Sequence, residues 1–277
     1  MPNYKITVLE IARKTVDGTF YFGDFMPVEQ EFPNPFSMTL LQGEGRNILI
    51  DTGIDVHDPV KQGIVKGAGL QNAHGPEEVL ATVGLTCDDI SAVILTHLHF
   101  DHAGALDCYH NAHFYLQSEE FEGWQMIAAN PQYEALHVFC MDMYDLPRLD
   151  ALLMKNRLTL LHGDGQLFPG VRVVKVPGGH SFASQMVLVD TEKGRYLHTG
   201  DACNRPENLT GTKEFPFYLP NTKFGVGSPL EVVRGYDRIM GLVGGSVDRL
   251  IMTHDDARRD KFPWHDSALG LSVFEIA

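Results

Sequence analysis

The feature that most constrains the fold of this chain is one short polar loop, THLHFDH at positions 96–102. The loop directly follows an apolar, strand-like run at positions 91–95. Because side chains alternate between the two faces of a strand, a loop that leaves a strand end can direct two ligand-type residues one way and two another. The four residues are His97, His99, Asp101 and His102. Imidazoles and carboxylates grouped in this way are typical ligands of metals such as Zn²⁺, so the loop predicts a β-strand that ends at a metal site.

Three later residues of the same chemical types also follow strand-like runs, and they are His180, Asp201 and His254. Taken alone, each would be read as a hydrogen-bonded structural histidine or a turn aspartate. If the strand ends meet at one sheet edge, however, these side chains join those of the loop at 96–102. The complete set has five imidazoles and two carboxylates, which is enough for two metal ions that each keep an open position.

Composition and charge argue against several classes of function. The formal net charge of −14 at pH 7 argues against nucleic acid and against an anionic lipid surface as partners, because phosphate binding needs a basic surface. The first residues lack the apolar segment of a secretory signal, and no apolar run approaches the roughly 20 residues of a membrane span. No C-x-x-C spacing occurs among Cys87, Cys108, Cys140 and Cys203. We therefore expect a cytoplasmic protein with reduced thiols that acts on a small molecule, either as a monomer or as a homodimer.

Strand-like and helical patterns alternate along the 277 residues. Strands are expected at 5–11, 19–25, 37–41, 47–50, 92–95, 113–116, 158–161, 171–176, 185–190, 195–199 and 249–252. Helices are expected at 76–83, from Ser118 onwards, and after the capping box Ser228-Pro229-Leu230-Glu231. Strands followed by helices, twice over, predict an α/β (α+β) sandwich of two β-sheets flanked by helices.

The order of these motifs resembles that of the metallo-β-lactamase superfamily, in which an H-x-H-x-D-H loop is followed by distant His, Asp and His residues. The resemblance extends over essentially the whole chain and begins with the Asp51-Thr52-Gly53 step. It implies the αββα fold, with two mixed β-sheets between helices, as a single domain over 1–277. The sequence HLHFDHAG at 97–104 and the Asp201-Ala202 step are most similar to the N-acyl homoserine lactonase branch.

This resemblance implies a role for each ligand-type residue. His97, His99 and His180 would hold a first divalent metal ion, Asp101, His102 and His254 would hold a second, and Asp201 would bridge them. Zn²⁺ is the expected metal, with Fe or Mn as alternatives. Asp51 would either orient a ligand imidazole or cap the Thr52-Gly53 turn.

The resemblance also implies a chemistry, in which a hydroxide that bridges the two metals opens a lactone or a related small ester. Asp201 would pass the proton to the leaving group, and Asp101 would act beside it. One position departs from the family, because the lactonases carry a tyrosine three residues after the bridging aspartate and this chain has Asn204. An amide can donate a hydrogen bond to the substrate but cannot supply a proton near neutral pH. A phenol could instead come from Tyr133, Tyr144 or Tyr218, each of which also suits a packing role.

Two segments are candidates for the walls of a substrate site. The segment 130–157 lacks regular patterning and is rich in Met, Tyr and Leu. It suits a lid over an acyl chain, and equally a dimer contact or a satellite core. The glycine-rich segment 63–75 is expected to form a second, flexible wall.

Other functions fit the same ligand set. A thioester hydrolase of the glyoxalase II kind would need a basic cluster for glutathione. The dense candidate is Arg258, Arg259 and Lys261, for which a solvated face is the alternative. An iron-dependent persulfide dioxygenase would use a subset of the ligands with one iron ion. A binding protein without catalysis is disfavoured, because no ligand position has been replaced.

Overall fold

The computed structural model describes residues 3–25, 29–136, 140–223 and 225–277. Within these residues the chain forms the strands β1 (Lys5–Asp17), β2 (Glu31–Gly43), β3 (Arg46–Ile50), β4 (Ala92–Ile94), β5 (His113–Gln117), β6 (Leu158–Leu161), β7 (Gly165–Phe168), β8 (Val171–Pro177), β9 (Ala183–Thr191), β10 (Gly194–His198), β11 (Leu250–Ile251), β12 (Trp264–Asp266) and β13 (Ser272–Glu275). The α-helices are α1 (Gly18–Phe22), α2 (Pro59–Gly67), α3 (Pro76–Ala81), α4 (Ser118–Ala128), α5 (Asp145–Met154), α6 (Pro206–Thr210) and α7 (Pro229–Leu242). None of the helices in these ranges has the length and apolar character that a bilayer crossing requires.

Two mixed β-sheets pack against each other. The larger sheet has the strand order β12-β13-β1-β2-β3-β4-β5-β6, and the smaller has the order β11-β10-β9-β8-β7. Apolar residues from both inner faces form one core between the sheets, including Ile6, Val8, Ile48, Val171, Val173, Val187 and Val189. Helices α3, α4 and α5 pack on the outer face of the larger sheet, and α7 packs on the outer face of the smaller one. The expected αββα sandwich is confirmed.

Strand direction brings the ligand-type residues to one edge of this sandwich. β3 and β4 are parallel, so Asp51 and the loop at 96–102 leave the larger sheet on the same side. β10 and β11 are also parallel, so Asp201 and His254 follow adjacent strand ends of the smaller sheet. His180 lies in the turn between β8 and β9. The ends of five strands therefore meet where the sequence predicts a site.

The segment 19–25 is not the predicted strand. Its first four residues lie in α1, and its last three form the 3-10 helix Gly23–Phe25. Its aromatic residues pack in a small separate core that contains Val16, Tyr21, Phe22 and Leu219. Tertiary packing of these rings overrides the β-propensity that suggested a strand.

The segment 63–75 is only partly the flexible glycine-rich wall that the sequence predicts, because its first residues belong to α2. This helix begins at Pro59, after Asp58, whose Oδ1 accepts a hydrogen bond from Val60 N at 2.8 Å. A good N-cap contributes about 1 kcal/mol, which offsets the similar cost of a glycine inside a helix.

The segment 130–157 is more regular than predicted. It contains the 3-10 helix Pro131–Leu136 and α5, while residues 137–139 lie outside the described residues. α5 packs Leu146, Leu149 and Leu152 into the core of the larger sheet. This helix was missed because its apolar residues were attributed to a lid. β7, α6, β12 and β13 were also not expected.

Candidate active site

All seven predicted ligand residues lie together at this sheet edge, and all are buried. They form three overlapping groups, and within each group the candidate ligand atoms lie within 4.8 Å of one another. The groups are His97 with His99 and His180, His97 with His102 and Asp201, and Asp101 with His102 and His254. Shared residues join the groups into one continuous centre.

Three imidazoles form one side of this centre. The ring centroid of His97 lies 4.4 Å from that of His99 and 4.9 Å from that of His180. His180 Nε2 lies 3.0 Å from His99 Nδ1. Three nitrogen ligands at these separations suit one tetrahedral metal position with a fourth place open.

The other side combines imidazoles with carboxylates. Asp101 Oδ2 lies 3.2 Å from His102 Nε2 and 3.5 Å from His254 Nε2. Asp201 lies between the two sides, because its Oδ2 is 3.1 Å from His254 Nε2 and 3.4 Å from His180 Nε2. Asp201 Oδ1 is 3.5 Å from His102 Nε2. One carboxylate thus reaches residues of both predicted ligand sets.

Several buried polar atoms of this centre have no hydrogen-bond partner among the described residues. They include His97 Nε2, His99 Nε2, His180 Nδ1 and Asp201 Oδ1. Buried polar atoms without a partner are rare in folded proteins, and a bound ion can satisfy them. Imidazole nitrogens and carboxylate oxygens are also the ligands that divalent metals such as Zn²⁺ accept. The residues present therefore fit a metal centre.

The charge states of His97, His99 and Asp201 suit metal binding. Burial, followed by the neighbouring imidazoles, lowers the pKa of His97 and of His99 well below 6.5. Both are therefore neutral, as a ligand imidazole must be. Burial alone would raise the pKa of Asp201, but His254 and His102 hold it well below its usual range. Asp201 is consequently a carboxylate across the neutral range.

Two hydrogen bonds orient ligand imidazoles. Asp51 Oδ2 lies 2.7 Å from His102 Nδ1, and Asp51 Oδ1 accepts a hydrogen bond from Thr96 N at 2.7 Å. Asp51 therefore contacts the ring of His102, a predicted ligand, as the first of its two predicted roles requires. His254 Nδ1 lies 2.8 Å from the Pro35 carbonyl oxygen. A ring nitrogen that donates to a carbonyl or carboxylate leaves the other nitrogen free for a metal.

Glu120 is a positioning residue that the sequence analysis missed. Its Oε1 accepts hydrogen bonds from Leu98 N at 3.0 Å, Trp124 Nε1 at 2.8 Å and Ser181 Oγ at 2.6 Å. Its Oε2 accepts a hydrogen bond from Ala183 N at 2.9 Å. One buried carboxylate thus ties the histidine loop to the turn that holds His180. The available signal was its place on the apolar face of α4, one turn before Trp124.

Two glycines let the backbone approach closely around the ligands. Gly200 has φ +53°, and a Cβ atom there would lie 2.8 Å from Thr96 Cβ. A Cβ atom on Gly104 would lie 2.0 Å from the Phe100 carbonyl oxygen. Any larger residue at either position would displace the chain next to Asp201 or the histidine loop.

A cavity of about 450 Å³ opens onto this centre, and its lining includes His99, Asp101, His180, Asp201 and His254. One wall is apolar and consists largely of α2, through Val60, Gly63, Ile64, Gly67 and Ala68. Cys140, from the segment 130–157, also lines the cavity. Both segments that the sequence proposes as walls therefore contribute to it.

Asn204 lines the same cavity, and its Oδ1 accepts a hydrogen bond from Asn221 Nδ2 at 2.9 Å. The three tyrosines proposed as alternative phenols are not among the described lining residues. Tyr133 and Tyr144 are exposed, and Tyr218 packs its ring 5.8 Å from that of Tyr236. Of these four candidates for a hydrogen bond to the substrate, Asn204 is therefore the one that lines the cavity.

The basic cluster proposed for glutathione does not line the cavity. Arg258 is buried and donates to the carbonyl oxygens of Met252 at 2.7 Å and Thr253 at 2.6 Å. Arg259 donates to Glu10 Oε1 at 3.1 Å. Neither arginine belongs to a freely solvated face, and Arg258 supports the backbone just before His254.

Known proteins are similar to this chain in sequence. The profile of the metallo-beta-lactamase superfamily matches residues 33–254. An N-acyl homoserine lactonase from Bacillus sp is 30% identical over 187 residues, which cover 64% of this chain and 67% of that protein. An N-acyl homoserine lactonase from Agrobacterium fabrum is 27% identical over 255 residues, which cover 84% of this chain and 86% of that protein.

Solved structures agree with these relatives. The crystal structure of a quorum-quenching N-acyl homoserine lactone lactonase has a TM-score of 0.68 and 25% identity to this chain, and the match covers 93% of this chain and 95% of that one. Both the family match and the fold therefore extend over most of the chain. The chain belongs to the metallo-β-lactamase superfamily, and it is a metal-dependent hydrolase of the lactonase-like kind.

Proposed function

We propose that this protein opens a lactone, or a related small-molecule ester, at a centre of two divalent metal ions, with Zn²⁺ as the expected metal. The observation that carries the proposal is the position of Asp201 between two ligand sets at the floor of a cavity. The names of the relatives, which are N-acyl homoserine lactonases, support a lactone as the substrate class.

The proposed ligands divide into two sets that share Asp201. His97, His99 and His180 would hold one ion, and Asp101, His102 and His254 would hold the other. When bound, such ions polarise a carbonyl and provide a hydroxide nucleophile at neutral pH. The remaining functions belong to the chain itself.

Asp201 is the proposed proton carrier. Its two oxygens lie within 3.5 Å of imidazoles from both ligand sets, so it would stand close to the attacked carbon and to the leaving oxygen of an ester bound at this centre. The ionised carboxylate can accept the proton of the nucleophile and deliver it to the departing alkoxide. Asp101, on the other side of His254, would keep that imidazole oriented and add to the negative charge of the centre.

Asn204 is the proposed hydrogen-bond donor to the substrate. Its Oδ1 is occupied by Asn221 Nδ2, so Nδ2 is the atom left to donate into the cavity. A neutral amide can stabilise a carbonyl or a developing oxyanion without giving up a proton. The wall around Cys140 and α2 would surround the rest of the substrate, so we propose that part of the segment 130–157 covers the site.

The proposal is tested by assaying lactones, thioesters and β-lactams with one preparation whose metal content is measured by elemental analysis. We expect lactone opening as the fastest reaction, with two metal ions per chain. Thioester cleavage without lactone opening would overturn the proposal and identify a glyoxalase II-like enzyme. One iron ion per chain without any hydrolysis would instead indicate the persulfide dioxygenase.

A further inference from the structure

Part of the cavity lining outside α2 carries positive charge. Lys14 and Lys223 both line the cavity. Neither ammonium lies within 4.0 Å of a carboxylate oxygen among the described residues. Lys223 Nζ lies 5.5 Å from the centroid of the Phe20 ring, and the nearby Asp17 carboxylate is hydrogen-bonded to Thr19. The chain has a net charge of −14, yet these two cations have no ion-pair partner in the part of the chain that the structure describes.

The side-chain amide of Asn34, a buried hydrogen-bonding group, lies beside Lys14. Asn34 is the cross-strand partner of Lys14 in the pairing of β1 with β2, and it also lines the cavity. Asn34 is only 1% exposed, and its Oδ1 accepts a hydrogen bond from the Tyr21 hydroxyl at 2.7 Å. Its Nδ2 has no hydrogen-bond partner among the described residues. Such a donor is costly to bury unless a ligand accepts its hydrogen bond.

The two lysines also disfavour each other. Burial, and then the charge of Lys223, lower the pKa of Lys14. Like charges that share a cavity wall are stabilised by an anion placed between them. A carboxylate has the oxygen acceptors that two ammonium groups and one amide N–H require.

The part of the lining that α2 forms is apolar instead. On α2, Cβ atoms added at Gly63 and Gly67 would meet no other atom within 4 Å, so the helix leaves open space along the cavity. With Val60, Ile64 and Ala68 beside them, these glycines form an apolar channel. A ligand that fills the cavity would therefore be apolar where it lies against α2 and anionic where it meets Lys14, Lys223 and Asn34.

We propose that the substrate is a lactone or small ester whose apolar tail ends in a carboxylate, and that Lys14, Lys223 and Asn34 bind this carboxylate. The inference rests on the proposed function, because the same cavity leads to the ligand centre. It separates this chain from relatives named for N-acyl homoserine lactones, which carry no anionic group.

The test compares two γ-lactones with the same alkyl tail, one ending in a methyl group and one in a carboxylate. For the metal-loaded wild type we expect kcat/KM to be about tenfold to a hundredfold higher for the carboxylated lactone, as for a hydrogen bond to a charged group. The ratio of the two kcat/KM values should fall about tenfold in Lys14→Met and in Lys223→Met, and approach one in the double variant.

Two further variants sharpen the result. Asn34→Asp keeps an acceptor for the Tyr21 hydroxyl but replaces the donor with a negative charge, so the ratio should fall below that of wild type. Lys155→Met, at an exposed lysine after α5, is the control and should keep the wild-type ratio. A wild-type ratio of one or less, or a ratio that the double variant leaves unchanged, would overturn the inference.

The inference can fail independently of the proposed function. Opening of both lactones without any preference would leave lactone hydrolysis standing and reject the carboxylate site. If neither lactone is opened, the proposed function fails, and calorimetry with the same two compounds still decides the inference. Tighter binding of the carboxylated lactone by at least about tenfold, lost in the double variant, would support the site, and equal binding would reject it.

Discussion

The floor of the cavity and its walls are built in different ways. On the floor, the rings of His102 and His254 are each held by a hydrogen bond at Nδ1. Glu120 binds the histidine loop at Leu98 and the turn that holds His180. The walls are α2, part of the 130–157 segment, and the side chains of Lys14, Asn34 and Lys223. Around Gly63 and Gly67 of α2 the cavity has unfilled space. We infer that the floor sets the chemistry, whereas the walls set which substrate is accepted.

The walls nevertheless have one firm attachment to the rest of the fold. Lys61 of α2 is fully buried, and its Nζ lies 2.7 Å from Asp142 Oδ2 and also contacts Asp145. Arg148 of α5 bonds Asp58, the N-cap of α2, at 2.6 Å. These ion pairs join the two wall segments, so the walls are held by buried charge and the floor by hydrogen bonds around the ligands.

The largest effect is expected on the floor. Asp201→Asn and His102→Ala should each lower kcat by several orders of magnitude, because one removes the proposed bridge and proton carrier and the other a ligand of the second metal. Even the loss of an outer partner of a metal ligand typically lowers activity about 10–100-fold. Asp260→Asn, at an exposed aspartate, is the matched control. Turnover near that of wild type, with two metals bound, would show that the floor is misassigned.

The second effect concerns the attachment of the walls. Lys61→Met leaves the buried Asp142 without its cation and leaves Asp145 paired with Arg148 alone. The variant should lower the free energy of unfolding by about 3–5 kcal/mol, as urea denaturation would measure. Lys66→Met, at an exposed lysine of the same helix, should change it by less than about 0.5 kcal/mol. Equal stability of the two variants would mean that buried charge does not hold the walls.

The third effect sharpens the role of α2 in selection. Gly63→Leu points a side chain into open space in the cavity and should lower kcat/KM for long-tailed lactones by about tenfold to a hundredfold, the size expected for overpacking. Short lactones should be affected less, and stability should hold or rise by up to about 1 kcal/mol because leucine favours a helix. Gly241→Leu, in α7 and away from the cavity, is the control. A loss that is independent of tail length would contradict the division between floor and walls.

The smallest effect is expected at Asn204, where the two regions meet. Its proposed contribution is one neutral hydrogen bond, which is worth about 0.5–1.5 kcal/mol. Asn204→Ala should therefore lower kcat/KM by roughly tenfold or less. A loss of several orders of magnitude, measured in the same lactone assay, would make Asn204 a principal catalytic group.

The sequence predicts the floor better than the walls for a physical reason. Ligands that follow strand ends are placed by the alternation of a strand and by parallel pairing, and both leave local patterns such as the loop at 96–102. Glu120 escaped notice because an acidic residue in the first turn of a helix is usually solvated, and only its spacing from Trp124 indicates that it is buried. The segment 19–25 was misread because aromatic side chains favour strands until a separate core captures them.

The walls depend on long-range placement that no local pattern records. Lys14 and Asn34 become neighbours through the register of β1 and β2. Lys223, which is about 190 residues further along the chain than Asn34, lines the same cavity. Gly63 and Gly67 looked like signs of a flexible loop, although the Asp58 cap sustains a helix there. Substrate selection was therefore the part of the function that the sequence described least.

The central claim is that two metal ions on this floor carry out lactone opening. Its most direct test is to strip the protein with a chelator and titrate Zn²⁺ back, measuring bound metal per chain and lactone hydrolysis on the same samples. We predict negligible activity without metal and full activity only when two equivalents are bound, with His254→Ala retaining a single ion and little turnover. Full activity at one equivalent, or hydrolysis by the metal-free protein, would contradict the account.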